Sequence, residues 1–284
     1  MRLGVGLPNS IPGRDPGLII EWARRAEAGP WSSLGVVDRL HYDCLEPMAT
    51  LAAVAAATER IGLVTMVVIG PLRNDLVLGA QAASIASISN GRLTLGLAIG
   101  ARSDDFVVAG MEPGRRGERL DAQLAALRAQ WRGEWAGGEM APHFSRPELL
   151  VGGQSDAAVT RVARFADGYV HNGGPPRTFE RAVGRVKTAW TDFARPGRPR
   201  LWAQGYFALG DDAAERGRDY MRDYYAFTGP FAERITKGLL TTPQQVVAFV
   251  RGYSEAGCDE LVLLPAVDDL DQLERLADVV SVIR

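Results

Sequence analysis

Metal ligands, disulfides, long apolar runs and an excess of either charge are all scarce in this chain of 284 residues. Its three histidines, His41, His143 and His171, stand in no H-x-H or H-E-x-x-H spacing, so the pattern of metal-assisted catalysis is missing and no metal is expected. The two cysteines, Cys44 and Cys258, lie far apart and form neither a disulfide framework nor a metal motif. They suit a reducing cytoplasm. Lysine and arginine total 32 against 34 aspartates and glutamates, a formal charge of -2, so no basic footprint of nucleic-acid binding appears. The first residues hold one arginine and a short apolar run stopped by Pro8, too little for a secretory signal. Apolar stretches such as 48–57 fall short of the roughly 20 residues a membrane helix needs. No G-x-S-x-G elbow occurs and Ser155 has no obvious paired base, which removes support for nucleophilic hydrolysis.

What remains is a globular composition, 46% apolar and 23% charged, in a length near the roughly 250 residues of an eight-fold β/α barrel. Short apolar runs at 3–7, 34–37, 61–69, 93–99, 149–151, 168–171, 201–209 and 260–264 read as strands. Helical patterns fall between them, at 17–28, 47–58, 77–87, 116–131, 155–165, 176–193, 211–234 with 243–255, and 270–283. Strict alternation predicts parallel strands joined by crossover helices. Eight repeats predict a closed (β/α)8 barrel, a TIM barrel, as one domain over 1–284. An open doubly wound sheet is the alternative. Thr242-Pro243 reads as a cap with proline in the first turn, and Gly257 as a helix stop.

Barrel active sites lie at the C-terminal ends of the strands. That rule selects Asp38, Arg39 and His41 after the second strand, 100–105 after the fourth, Gly152, Gly153, Gln154 and Ser155 after the fifth, and His171, Asn172 and Gly173 after the sixth. It demotes Trp135 and His143, which lie in a helix-to-strand connection. Gly152-Gly153-Gln154-Ser155 reads either as a phosphate cradle at a helix start or as a tight turn with Ser155 as cap. The segment 205–242 is long for a βα connection and rich in tyrosine and phenylalanine; it reads as a lid-like cover or as helix packing.

Several stretches carry a family resemblance. They are Val36-Val37-Asp38-Arg39, Ala57-Thr58-Glu59-Arg60-Ile61-Gly62-Leu63, Pro71-Leu72-Arg73-Asn74, the run from Ile88 to Gly100 with Ser89-Asn90-Gly91-Arg92-Leu93, 150–155, Ala166-Asp167-Gly168-Tyr169 and Glu255-Ala256-Gly257-Cys258. Together they make the chain resemble the luciferase-like flavin- or deazaflavin-dependent oxidoreductases, over nearly its whole length. The resemblance implies a barrel holding reduced FMN or coenzyme F420. It places a bulge with a non-proline cis peptide at Thr65-Met66-Val67, the ring beside Ile99-Gly100-Ala101, and the phosphate end at Gly152–Ser155 and His171–Gly174. It also implies a small organic substrate, a separate reductase supplying reduced flavin, and a homodimer through early barrel helices.

Many members carry Asp-His after the second strand. Here the pair is Asp38-Arg39, with His41 two residues on. Arginine cannot serve as a general base, because its pKa exceeds about 12; it can hold an anion. Either Arg39 or His41 meets the substrate or flavin, with Asp38 fixing it. Three functions stay open: oxygen-using monooxygenase, deazaflavin hydride transfer, and non-catalytic flavin binding. A basic entrance from Arg73, Arg102, Arg177 and Arg222 would favour the deazaflavin tail.

Overall fold

A computed structural model describes residues 1–134 and 146–283. In chain order the elements are β1 (Arg2–Gly6), α1 (Leu18–Ala28), β2 (Ser33–Val36), α2 (Pro47–Ala57), β3 (Gly62–Thr65), β4 (Val68–Ile69), α3 (Asp75–Ile88), β5 (Leu93–Ala98), α4 (Ser103–Val108), α5 (Arg116–Trp131), β6 (Glu148–Gly152), α6 (Asp156–Phe165), β7 (Gly168–His171), α7 (Pro176–Asp192), β8 (Arg200–Phe207), α8 (Asp211–Tyr224), α9 (Phe231–Thr236), α10 (Pro243–Glu255), β9 (Glu260–Pro265) and α11 (Asp271–Ser281). All strand pairings are parallel. They run β3-β2-β1-β9-β8-β7-β6-β5-β4, and a further β3–β5 pairing closes the ring. The third stave is β3 and β4 together, interrupted by Met66 and Val67, whose peptide bond is cis. The structure is therefore the closed eight-stave barrel ringed by helices, not the open sheet.

Strand residues alternate between two apolar layers, as the pleat dictates. Val64, Met66, Leu150, Val170, Trp202, Val262 and Leu264 fill the barrel. Leu63, Leu149, Val151, Tyr169, Leu261 and Leu263 face the helices. Burying each such side chain contributes about 1.5–3 kcal/mol. Gly96 lets β5 pass the bulge closely: a Cβ there would fall 2.3 Å from the Thr65 carbonyl oxygen.

The stretch Ser89-Asn90-Gly91-Arg92-Leu93 has a structural role. Asn90 and Gly91 turn the chain with φ of 53° and 81°. Arg92 then donates to the carbonyls of Ala55, Thr58, Ser89 and Ile61 and to the Thr58 hydroxyl. Ala55 and Thr58 belong to the end of α2, whose last carbonyls lack helical partners. One guanidinium thus ties that helix end to the start of β5.

Local signals worked where chemistry is local. Thr242 and Gln245 form a reciprocal capping box at α10, and Gly257 stops that helix with φ 83°. The helix expected over 77–87 starts earlier, because the Asn74 side chain caps it by accepting from Leu76 and Val77 N–H. The continuous helix expected over 211–234 is instead α8 and α9. Gly229, at φ 58°, and Pro230 break it, since proline offers no N–H to an ongoing helix. Short α4 lies inside the loop expected after the fourth strand. Trp135 and His143 lie outside the described residues.

Candidate active site

A cavity of about 540 Å³ opens at the C-terminal mouth of the barrel, within the usual size range for small-molecule sites. It has two unlike walls. One is built mostly of small residues: Ala98, Ile99, Gly100 and Ala101 leaving β5, and Gly152, Gly153 and Gln154 leaving β6, with Asn172 beside them. Met66, Val67 and Ile69 from the bulged stave, with Val170, add apolar surface. Gly100 has φ 75° and Gly153 φ 130°, conformations that favour glycine. The Gln154 amide donates to Asn172 Oδ1 at 2.8 Å, fixing the two loops to one another.

The other wall is charged and aromatic. Arg39 Nε donates to Asp105 Oδ2 at 2.9 Å, and the two side chains are only 4% and 1% exposed. Asp105 Oδ1 also accepts the backbone N–H groups of Leu40 and His41, at 3.0 and 2.7 Å. The rings of Tyr42 and Tyr224 lie 5.2 and 5.3 Å from the Arg39 guanidinium carbon, within cation–π range. Tyr225 donates its hydroxyl to the Tyr206 oxygen at 3.3 Å. Burial pushes Tyr206 and Tyr224 well above the usual phenol range, so both stay protonated. Arg102 reaches the Tyr224 carbonyl at 2.9 Å and lies 4.6 Å from the Phe227 ring centre. The same arginine holds the Asp104 carboxyl down, to about 2.

The structure brings Arg39, Asp38, Met66, Val67, Ile99, Gly100, Ala101, Gly152, Gly153, Gln154 and Asn172 to one cavity. It corrects the pairing expected of Asp38. That carboxylate accepts from Arg73 Nη2 at 2.9 Å and Ile69 N–H at 2.8 Å, and it holds neither Arg39 nor His41. Asp105 does that work. Burial pushes the Asp38 carboxyl up, and Arg73 opposes the shift.

The ring of His41 is exposed and outside the cavity wall; only its backbone is engaged. The side chain of Thr65 is buried and hydrogen-bonds both the N–H and the carbonyl of Gly96 at 2.8 Å. Ser155 caps α6 by accepting from Ala158 N–H. The His171 ring points to the helix layer, edge-on to Tyr169 and Phe179. Gly173 backs against the Gln204 carbonyl. The proposed basic entrance also separates. Arg73 is committed to Asp38 and Glu46, and Arg222 to Asp219 and Glu233. Arg177 is exposed and not in the wall.

Sequence reading missed Arg116 and Gln204 and took in Asp105 only as the end of 100–105, with no role; all three stand in the wall. Gln204 was signalled by being a polar residue in the middle of an apolar strand, between Ala203 and Gly205, at an inward position. No described cluster of histidine, cysteine, aspartate and glutamate could hold a metal. No described helix is long and apolar enough to cross a membrane.

Comparison with known proteins places the chain in a family. The oxygenase component of the flavin-dependent trigonelline monooxygenase from Acinetobacter baylyi is 34% identical over 253 residues, covering 80% of this chain and 70% of that protein. An uncharacterised protein of Mycobacterium tuberculosis is 29% identical over 201 residues, covering 59% and 69%. In fold, the chain is similar to an F420-dependent secondary alcohol dehydrogenase, with TM-score 0.84 and 15% identity, covering 100% and 99%. It is likewise similar to the monooxygenase RslO1 from Streptomyces bottropensis, with TM-score 0.78 and 20% identity, covering 99% and 98%. A family model described as luciferase-like monooxygenase matches residues 1–257, and the chain belongs to that family of oxidoreductases.

Proposed function

We propose that the protein is a monooxygenase that uses reduced FMN and molecular oxygen on a small organic substrate. The observation that carries this reading is the wall at residues 98–101 and 152–154, where Ala98, Gly100, Ala101, Gly152 and Gly153 leave room for a flat ring system. The residues present fit such a cofactor. Ile99, Gly100, Ala101, Met66 and Val67 would flank the ring, and Gly152, Gly153, Gln154 and Asn172 its phosphate end. Bound reduced flavin supplies the electrons that the reaction needs; the protein supplies orientation and electrostatics. Tyr206 of β8 and Tyr224, Tyr225 and Phe227 of the following segment line the cavity and would exclude water. Arg39 faces the substrate.

A second reading is hydride transfer from coenzyme F420. Arg116 favours it: it stands in the wall, makes no ion pair with any described residue, and suits an anionic tail. Titration with FMN and with F420, oxidised and reduced, separates the two. Selective binding of reduced FMN supports oxygen chemistry, selective binding of F420 shifts the assignment to hydride transfer, and binding of neither sinks both.

The Acinetobacter relative is named as an oxygenase component, which supports a separate reductase as partner here. The proposed setting is a reducing cytoplasm, since both cysteines are free and burial pushes each thiol up to about 12. A second copy of the chain is the proposed occupant of the α2–α3 face. Helix α2 carries no charge and α3 only Asp75, while Leu76, Val77 and Ile88 are 44–56% exposed. Light scattering should give a dimer mass, and Val77→Lys should shift it toward monomer.

A further inference from the structure

An arginine carries five N–H donors, and three of those of Arg39 are placed. Nε and Nη2 donate to Asp105, and Nη2 also to the His41 carbonyl. Nη1 is buried and has no hydrogen-bond partner among the described residues. An unpaired charged donor in the interior is costly, so this one calls for an acceptor that is not part of the fold. Arg39 stands in the wall of the cavity, so the acceptor is to be sought there.

Neither carboxylate of the wall accepts from Nη1: Asp105 takes Arg39 Nε and Nη2 and two backbone N–H groups, and Asp38 takes Arg73 and Ile69. The Tyr224 hydroxyl beside the guanidinium is a neutral acceptor. Of the three arginines in the wall, Arg39 is paired with Asp105 and Arg102 with Asp104, and Arg116 has no ion pair among the described residues. Arginine and a carboxylate match each other in charge and in planar fork geometry, which a neutral acceptor does not. Around this pole the surface is aromatic: Tyr224, Tyr225, Tyr206 and Phe227.

We propose that the substrate is a small organic acid with a planar apolar body, whose carboxylate accepts from Arg39 Nη1 while its body lies against the tyrosines. Asp105 is the positioning residue that aims this donor. The inference rests on the oxidoreductase reading for what happens to the substrate, but the anion site stands on its own geometry.

The test uses benzoate and its neutral isostere benzamide as probes, with the full chain, by ligand-observed NMR titration with and without FMN. Wild-type protein should bind benzoate at least about tenfold more tightly than benzamide. The Arg39→Gln/Asp105→Asn double variant, which removes both buried charges together, should lose that preference and leave benzamide affinity within about twofold. Equal affinities in the wild type, no saturable binding of either probe, or an unchanged preference in the folded double variant would overturn the proposal. The wild-type comparison decides the matter even if the variant does not fold. An FMN titration on the same samples keeps the two readings apart. Flavin binding without benzoate preference overturns this inference alone. Benzoate preference without binding of FMN or F420 removes the oxidoreductase reading and leaves the anion site standing.

Discussion

The two walls of the cavity are built by opposite means. Residues 98–101 and 152–154 are mostly glycine and alanine, and their shape follows from strand ends and left-handed glycines. The other wall is made of side chains that reach one another from separate elements: Arg39 to Asp105, Arg102 to Tyr224, Tyr206 to Tyr225. The first wall is generic and suits a shared cofactor. The second is particular and suits one substrate. Changes at the side-chain wall should therefore act on stability and substrate choice, and changes at the small-residue wall on cofactor affinity.

The largest effect is expected from Asp105→Ala. It strands the buried Arg39 charge and two backbone N–H groups, so urea denaturation should show a loss of about 3–5 kcal/mol. A smaller loss would mean that water reaches Arg39 in the folded protein. Next is a pH effect behind the small-residue wall. The His171 ring is fully buried with both nitrogens unpartnered, and burial pushes it down to about 4. The unfolded chain takes up that proton first, below about pH 6.5, so stability falls as pH drops through that value toward 4. The expected loss between pH 8 and pH 5 is about 2 kcal/mol. His171→Phe should remove that part of the slope, and an identical slope in wild type and variant would sink the assignment.

Gly152→Leu tests the small-residue wall directly. A Cβ there would meet Val170 and Ala98 at 3.4 and 3.6 Å, ordinary contact, so the added side chain starts without a clash and then fills cavity space. Cofactor affinity should fall about tenfold, near 1.4 kcal/mol, with little change in unfolding midpoint. The smallest effect is expected from Tyr206→Phe. It deletes one long hydrogen bond to Tyr225 and should cost about 0.5–1.5 kcal/mol in stability.

The same division explains what the sequence made legible. Barrel class and the Gly152-Gly153 turn followed from alternation, strand ends and glycine placement, all local signals; Ile99-Gly100-Ala101 as the ring's neighbour came from the family resemblance. The Asp105 partnership was hidden because it joins loops 66 residues apart, and no local rule pairs one of many aspartates with one of many arginines. His41 and His171 were chosen for residue type and position. Whether a ring points to the cavity, to solvent or to the helix layer depends on the pleat and on loop path. His171 shows this plainly: its neighbours Val170 and Asn172 line the cavity while its own ring faces Phe179.

The most direct measurement of the central claim is a cofactor titration of three proteins in parallel: wild type, Gly152→Leu and Arg39→Gln/Asp105→Asn. With the cofactor that wild type prefers, Gly152→Leu should bind about tenfold more weakly and the double variant within about twofold of wild type. The reverse order, or no binding of FMN or F420 by wild type, would contradict the division of the cavity into a cofactor wall and a substrate wall.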